Sequence, residues 1–119
     1  MAAPATATAT TDLVAVYVTV PSKDLGRTIA MALVREKLAA CTNIIPGLES
    51  IYFWEGKVNI DEELMLLIKT RASLVPQVTA RVKELHTYTE CEVLAVPVVG
   101  GSDTYMQWVK DSTRPPTAT

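Results

Sequence analysis

One histidine, His86, is all the imidazole this chain carries, and no evident serine or cysteine partner stands near it in sequence to form a nucleophile and base. Glycine-rich phosphate loops and nucleophile-elbow motifs are missing as well, which removes the common routes to nucleotide or hydrolase chemistry. Basic residues are scattered, and with a formal net charge of −2 they provide no stripe for a phosphate backbone, so nucleic acid is excluded as a partner. No apolar run reaches the roughly 18 residues of a membrane span, although 49% of the chain is apolar. The opening Met1–Thr11 segment has neither the basic flank nor the apolar core of a secretory signal. Two cysteines without such a signal predict a reducing compartment and free thiols.

What is present is a single domain's worth of strongly patterned sequence. The Ala/Thr-rich residues 1–11 and the Pro/Thr-rich residues 113–119 are expected to be disordered tails, leaving residues 12–112 as the folded part. Asp12–Val20 is a β-branched run closed by Pro21-Ser22, hence a strand. Leu25, Ile29, Ala30, Leu33, Val34, Leu38 and Cys41 then recur at helical spacing. Thr42–Trp54, broken at Pro46-Gly47, reads as a second strand that turns through Glu55–Glu62 into Leu64–Thr70. A helix from Ser73 to about His86, a strand over Cys91–Val99 and a short helix opened by Ser102 complete the order.

The order is β-α-β-β-α-β plus a C-terminal helix, an α+β chain. With right-handed crossovers it gives a ferredoxin-like antiparallel sheet with strands one and three in the centre. Pro46 and Pro97 then fall in edge strands, where a missing N–H is tolerated. Helices cover one face of such a sheet, yet the strands are apolar on both: Val14, Val16 and Val18 oppose Leu13, Ala15 and Tyr17. The uncovered face would project roughly 500 Å². A soluble monomer seldom exposes more than a few hundred Å² of contiguous apolar surface, so a homo-oligomer is expected. Tyr52, Phe53, Trp54 and Trp108 are the expected interface and core aromatics.

Four stretches, Glu36–Lys57, Leu66–Thr70, His86–Val98 and Tyr105–Val109, together resemble the CutA divalent-cation tolerance family over nearly the whole folded part. The resemblance implies a homotrimer with a ferredoxin-like subunit, built like the PII signalling proteins, and a role in tolerance to copper and other divalent cations. Bacterial members with proposed copper ligands have a cysteine near the end of strand one and a His-His pair. Val18 and Leu85-His86 stand at those positions, and both prolines of the usual segment after the pair are absent, so a copper site of that form is not expected.

His86, Glu90, Cys91 and Glu92 are the local residues with metal-ligand chemistry, suited to copper or another divalent cation that folding itself would not require. The bland reading is that His86 caps a helix end. Cys41 reads as core, and an intrachain Cys41–Cys91 disulfide is excluded because opposite sheet edges lie ~14 Å apart, twice the about 7 Å that a disulfide spans. Lys69 interrupts an apolar strand and needs a partner. It is expected either in an ion pair or, with Glu92, Tyr105 and Trp54, lining an intersubunit cleft for a small anion.

Three functional classes follow. The first is a non-enzymatic trimer in metal tolerance. The second is a PII-like small-ligand sensor or a scaffold for a protein partner. The third, an acylphosphatase-like enzyme, rests on fold analogy alone and is set aside. The compartment expected is the cytoplasm, or a plastid after removal of a transit peptide.

Overall fold

The computed structural model describes residues 11–116. Strand β1 (Leu13–Val20) leads into helix α1 (Lys23–Arg35), whose start is fixed by Ser22 Oγ accepting the Leu25 N–H at 3.2 Å, with Asp24 in the first turn. Strands β2 (Cys41–Trp54) and β3 (Lys57–Arg71) form a hairpin. A 3₁₀ turn (Ala72–Leu74) opens helix α2 (Val75–Leu85), with Pro76 in the first turn, where its missing N–H costs nothing. Strand β4 (Leu94–Pro97) and helix α3 (Asp103–Asp111) follow.

The sheet is antiparallel with order β2-β3-β1-β4, the ferredoxin-like arrangement. Pro97 lies on edge strand β4, and Pro46 sits in the bulge of edge strand β2 between Ile45 and Leu48. Val16, Val18, Val20, Leu66 and Ile68 are sealed against Ile29 and Leu33 of α1 and Val78 and Val82 of α2. Gly26 lets α1 approach closely, since a Cβ there would lie 3.3 Å from both Leu66 and Val20. On the opposite face α3 packs Val109 and Met106 with Leu13, Ala40 and Val98.

Four boundaries differ from the sequence reading. Helix α1 ends at Arg35, because Lys37 takes a left-handed φ of 59° and the N–H groups of Leu38 and Ala39 both return to the Leu33 carbonyl. Val34, within α1, is solvent-exposed, and Cys41 begins β2 instead of closing a helical stripe. The hairpin turn is only Glu55-Gly56, both at positive φ as a type I′ turn demands, so β3 begins at Lys57. Strand β4 keeps four residues of the nine expected.

The folded body also extends past both expected ends. Thr11 Oγ1 donates to the Val98 carbonyl, and Thr113 is buried, its hydroxyl bonded to Val109 and to Arg71. Arg114 bonds the carbonyls of Glu36 and Lys37. The remaining tail positions, 1–10 and 117–119, lie outside the described residues.

Strand β1 pairs with β3 only as far as Leu64, so Leu48–Trp54 and Lys57–Glu63 project beyond it as a two-stranded arm. Ile51 faces Ile60 and Phe53 faces Val58 across that arm, and all four are between 63% and 72% exposed.

Candidate functional site

A cavity of about 790 Å³ lies between the foot of the arm and the segment Thr87–Glu92. Its shape follows from His86. The residue ends α2, turning to extended backbone while its N–H still bonds the Val82 carbonyl. Its Nδ1 accepts the Tyr88 N–H at 3.1 Å, which leaves Nε2 to carry the proton donated to the Thr19 carbonyl at 2.8 Å. Both ring nitrogens are therefore committed to backbone, and the chain leaving α2 is tied to the end of β1.

That tie sets Tyr88 beside the imidazole, with ring centroids 4.7 Å apart, and aims its hydroxyl at Glu63 Oε2, 3.0 Å away. Glu63 occupies the first pair beyond the β2 bulge and is buried, although it is a carboxylate. Burial, the Glu63 hydrogen bond and the Glu63 charge together push the Tyr88 hydroxyl up to about 12. Glu92, on the rim, is pushed above the usual carboxylate range by desolvation first and by Glu63 second. Tyr52 donates to Asp61, and that hydrogen bond is the main reason its hydroxyl is raised.

Of the expected metal residues, Glu90, Cys91 and Glu92 line this cavity and His86 lies behind it. No three His, Cys, Asp or Glu side chains gather to hold a metal ion among the described residues. With both nitrogens of His86 occupied, the expected His86–Glu92 metal set does not fit a bound cation in this conformation.

The expected cleft residues divide. Trp54 and Glu92 line the large cavity, whereas Lys69 and Tyr105 line a separate one of about 160 Å³ beside Gly100, Gly101 and Ser102. Lys69 donates to Asn43 Oδ1, so its partner is a neutral amide, and the expected ion pair is not formed among the described residues. The Tyr105 hydroxyl is raised by burial and then by the neighbouring Cys41 thiol. Both cysteines are free. Tyr52, Phe53, Trp54 and Trp108 are all exposed on the single chain.

Sequence reasoning missed Glu63, Asp61 and the role of Tyr88. Asp61 falls inside the long turn expected over Glu55–Glu62, and Glu63 falls between that turn and the strand expected from Leu64. Starting β3 at Lys57, from the Glu-Gly turn signal alone, would have placed both on a strand.

A family profile described as "CutA1 divalent ion tolerance protein" matches residues 14–112. Protein CutA, chloroplastic, of Arabidopsis thaliana is 54% identical over 101 residues, which are 85% of this chain and 56% of that protein. The divalent-cation tolerance protein CutA of Thermus thermophilus is 51% identical over 98 residues, covering 82% of this chain and 95% of the relative. This chain thus spans little more than half of the plant relative's length and nearly all of the bacterial one. Among solved structures, CutA1 from Oryza sativa superposes with a TM-score of 0.85 at 51% identity, covering 88% of this chain and 96% of that one. The matched segment contains every helix and strand except the first residue of β1, and the chain belongs to the CutA1 divalent ion tolerance family.

Proposed function

We propose that the chain serves tolerance to divalent cations, copper among them, as a non-enzymatic homotrimer, and that it does so without chelating metal on its single histidine. The observation that carries this reading is the arm. Its Ile51, Phe53, Val58 and Ile60 side chains are about two-thirds exposed, although burying such a side chain fully stabilises by roughly 1.5–3 kcal/mol. Tyr52 and Trp54, on the arm's other face, and Trp108 on α3 are nearly half exposed. A second and third copy would cover these surfaces. The trimer number comes from the family resemblance, and the need for cover comes from the sheet and arm.

Light scattering with calorimetric titration of copper and zinc on the wild-type chain tests this. Three chains per particle, and a Phe53→Asp/Ile60→Asp variant that falls to a monomer, are expected. A wild-type chain that stays monomeric at tens of micromolar would refute the assembly, and copper held tightly through His86 would refute the metal clause. Because assembly and folding are linked, a reversible melting temperature should rise with protein concentration.

The small-anion reading keeps Lys69, Tyr105, Trp54 and Glu92 at a cleft between subunits, with Lys69 and Tyr105 of one chain on its lesser cavity and Trp54 and Glu92 on its larger one. Sulfate binding that is lost in Lys69→Met would support it. A protein partner is the scaffold alternative. For the compartment, the plant relatives named chloroplastic favour the plastid alternative over the cytoplasm.

A further inference from the structure

Helix α3 is held to the domain by little apolar contact. The main core includes none of its residues. Val109 is its one buried side chain, and with Met106 it joins Leu13, Ala40 and Val98 in a small separate cluster. Beyond that, the Tyr105 hydroxyl lies against the Cys41 thiol. A helix of nine residues is shorter than the roughly 12–15 at which a helix begins to stand alone in water, and so little burial offsets only part of the conformational entropy of fixing it. The chain enters α3 through Gly100-Gly101, where a Cβ at Gly100 would meet nothing within 4 Å and one at Gly101 only the Met106 sulfur at 3.9 Å. Two glycines with open space around them form a joint that can turn without collision.

What α3 lacks in burial is supplied by hydrogen bonds just past its end. Thr113 is 5% exposed; its hydroxyl donates to the Val109 carbonyl at 2.8 Å and accepts from Arg71 Nε at 3.1 Å. Arg71 Nη2 also donates to the Lys110 carbonyl at 2.7 Å, so a guanidinium from central strand β3 closes the C-terminal end of α3. Arg114 closes the C-terminal end of α1: its Nε donates to the Glu36 carbonyl at 2.8 Å and its backbone N–H to the Lys37 carbonyl at 2.9 Å. Each cation stands where the helix dipole favours one. Thr113 and Arg114 thus fasten α3 to β3 and to α1 at once, and the family match stops at residue 112, just before them. All of these bonds form within one chain, so copies seated on the sheet and the arm leave their donors and acceptors as they are.

We propose that Thr113 and Arg114 are a latch on α3. Fastened, they hold the helix on the sheet with Trp108 set towards the neighbouring copy; unfastened, α3 leaves as a unit about Gly100-Gly101 while the sheet, α1 and α2 stay folded. The Trp108 clause rests on the homotrimer proposed above, and the latch itself does not. Opening of α3 is read within one chain by proteolysis, and assembly is read by light scattering, so either can fail alone.

The test is native-state cleavage by trypsin, because the bond after Lys110 lies inside α3 and enters the protease only when that helix opens. Protease is kept low enough that reclosing outpaces cutting, and mass analysis identifies each cut. The Phe53→Asp/Ile60→Asp chain is used so that no neighbour shields α3, or the wild type should it prove monomeric. Adding Thr113→Val with Arg114→Ala should speed cleavage after Lys110 at least about tenfold, since hydrogen bonds involving a charged donor are lost. Cleavage after Arg27, inside α1, should keep its rate, and Lys83→Ala, an exposed cation of α2 outside the latch, should change neither. An unchanged rate after Lys110, an equal acceleration after Arg27, or a double variant that does not fold overturns the latch, because the rest of the domain is held to stand without it. In the otherwise wild-type chain, the same pair should come apart on dilution at a higher protein concentration than wild type does, and equal midpoints by light scattering overturn the Trp108 clause alone.

Discussion

Replacing His86 by alanine distinguishes a structural tie from a metal ligand before any metal is added. The side chain is 9% exposed and makes two hydrogen bonds to backbone, to the Thr19 carbonyl and from the Tyr88 N–H. Losing them removes about 1 kcal/mol net each, and leaving the buried Thr19 carbonyl short of a donor adds about 1 kcal/mol or more. The space vacated by the ring adds a further term, so the variant should lose about 3–4 kcal/mol, a large share of the roughly 5–15 kcal/mol that holds a domain folded. An exposed ligand histidine would cost within about 0.5 kcal/mol in the absence of metal. Urea unfolding of metal-free wild type and variant, at one fixed protein concentration so that assembly does not confound the comparison, measures the difference. A metal-free variant as stable as wild type, with copper affinity abolished, would refute the structural assignment.

Leu33→Ala, at a fully sealed position between α1 and the sheet, should cost 2–5 kcal/mol in the same assay with little change in the denaturant slope. Arg81 holds Glu36 through three contacts of 2.9–3.1 Å, tying α2 to the end of α1, but both side chains are about a third exposed. A double-mutant cycle with Glu36→Gln and Arg81→Ala should therefore return only a small coupling, shrinking as salt rises. The Tyr88 hydroxyl, raised to about 12 in the fold against 10 for a free tyrosine, favours the protonated form. Its contribution to stability is fully present below pH 10 and is lost as pH climbs towards 12. Tyr88→Phe should flatten the alkaline decline across that window, and a decline just as steep would show that another group governs it.

The fold could be read from sequence because its signals are local and redundant. Valines alternating with small or aromatic residues in β1, Ser22 and Ser102 as caps, and Pro46 and Pro97 at edge positions each restrict the same topology. The boundaries that failed depended on backbone geometry instead. Nothing in the identity of Lys37 announces a left-handed residue, so the helical spacing ran on to Cys41. The candidate site was half legible for a related reason. Glu90, Cys91 and Glu92 stand together in the chain, whereas Glu63 joins them only through the register of β3 and the placement of Tyr88 by His86. Lys69 and Trp54 were expected to meet across a cleft between subunits, and within one chain the one lies under α3 and the other on the arm.

The arm carries its consequence in time. A hairpin unsupported by a third strand is at best marginally stable in water. Its amide protons should therefore exchange with solvent orders of magnitude sooner than those of β1 and the shared half of β3 in any chain caught alone. Slow exchange at Ile51–Trp54 and Val58–Glu63 would record how long the arm stays covered by the proposed neighbouring copies. A pulse of heavy water, followed by mass analysis of that one peptide, would become a clock for the lifetime of the proposed assembly.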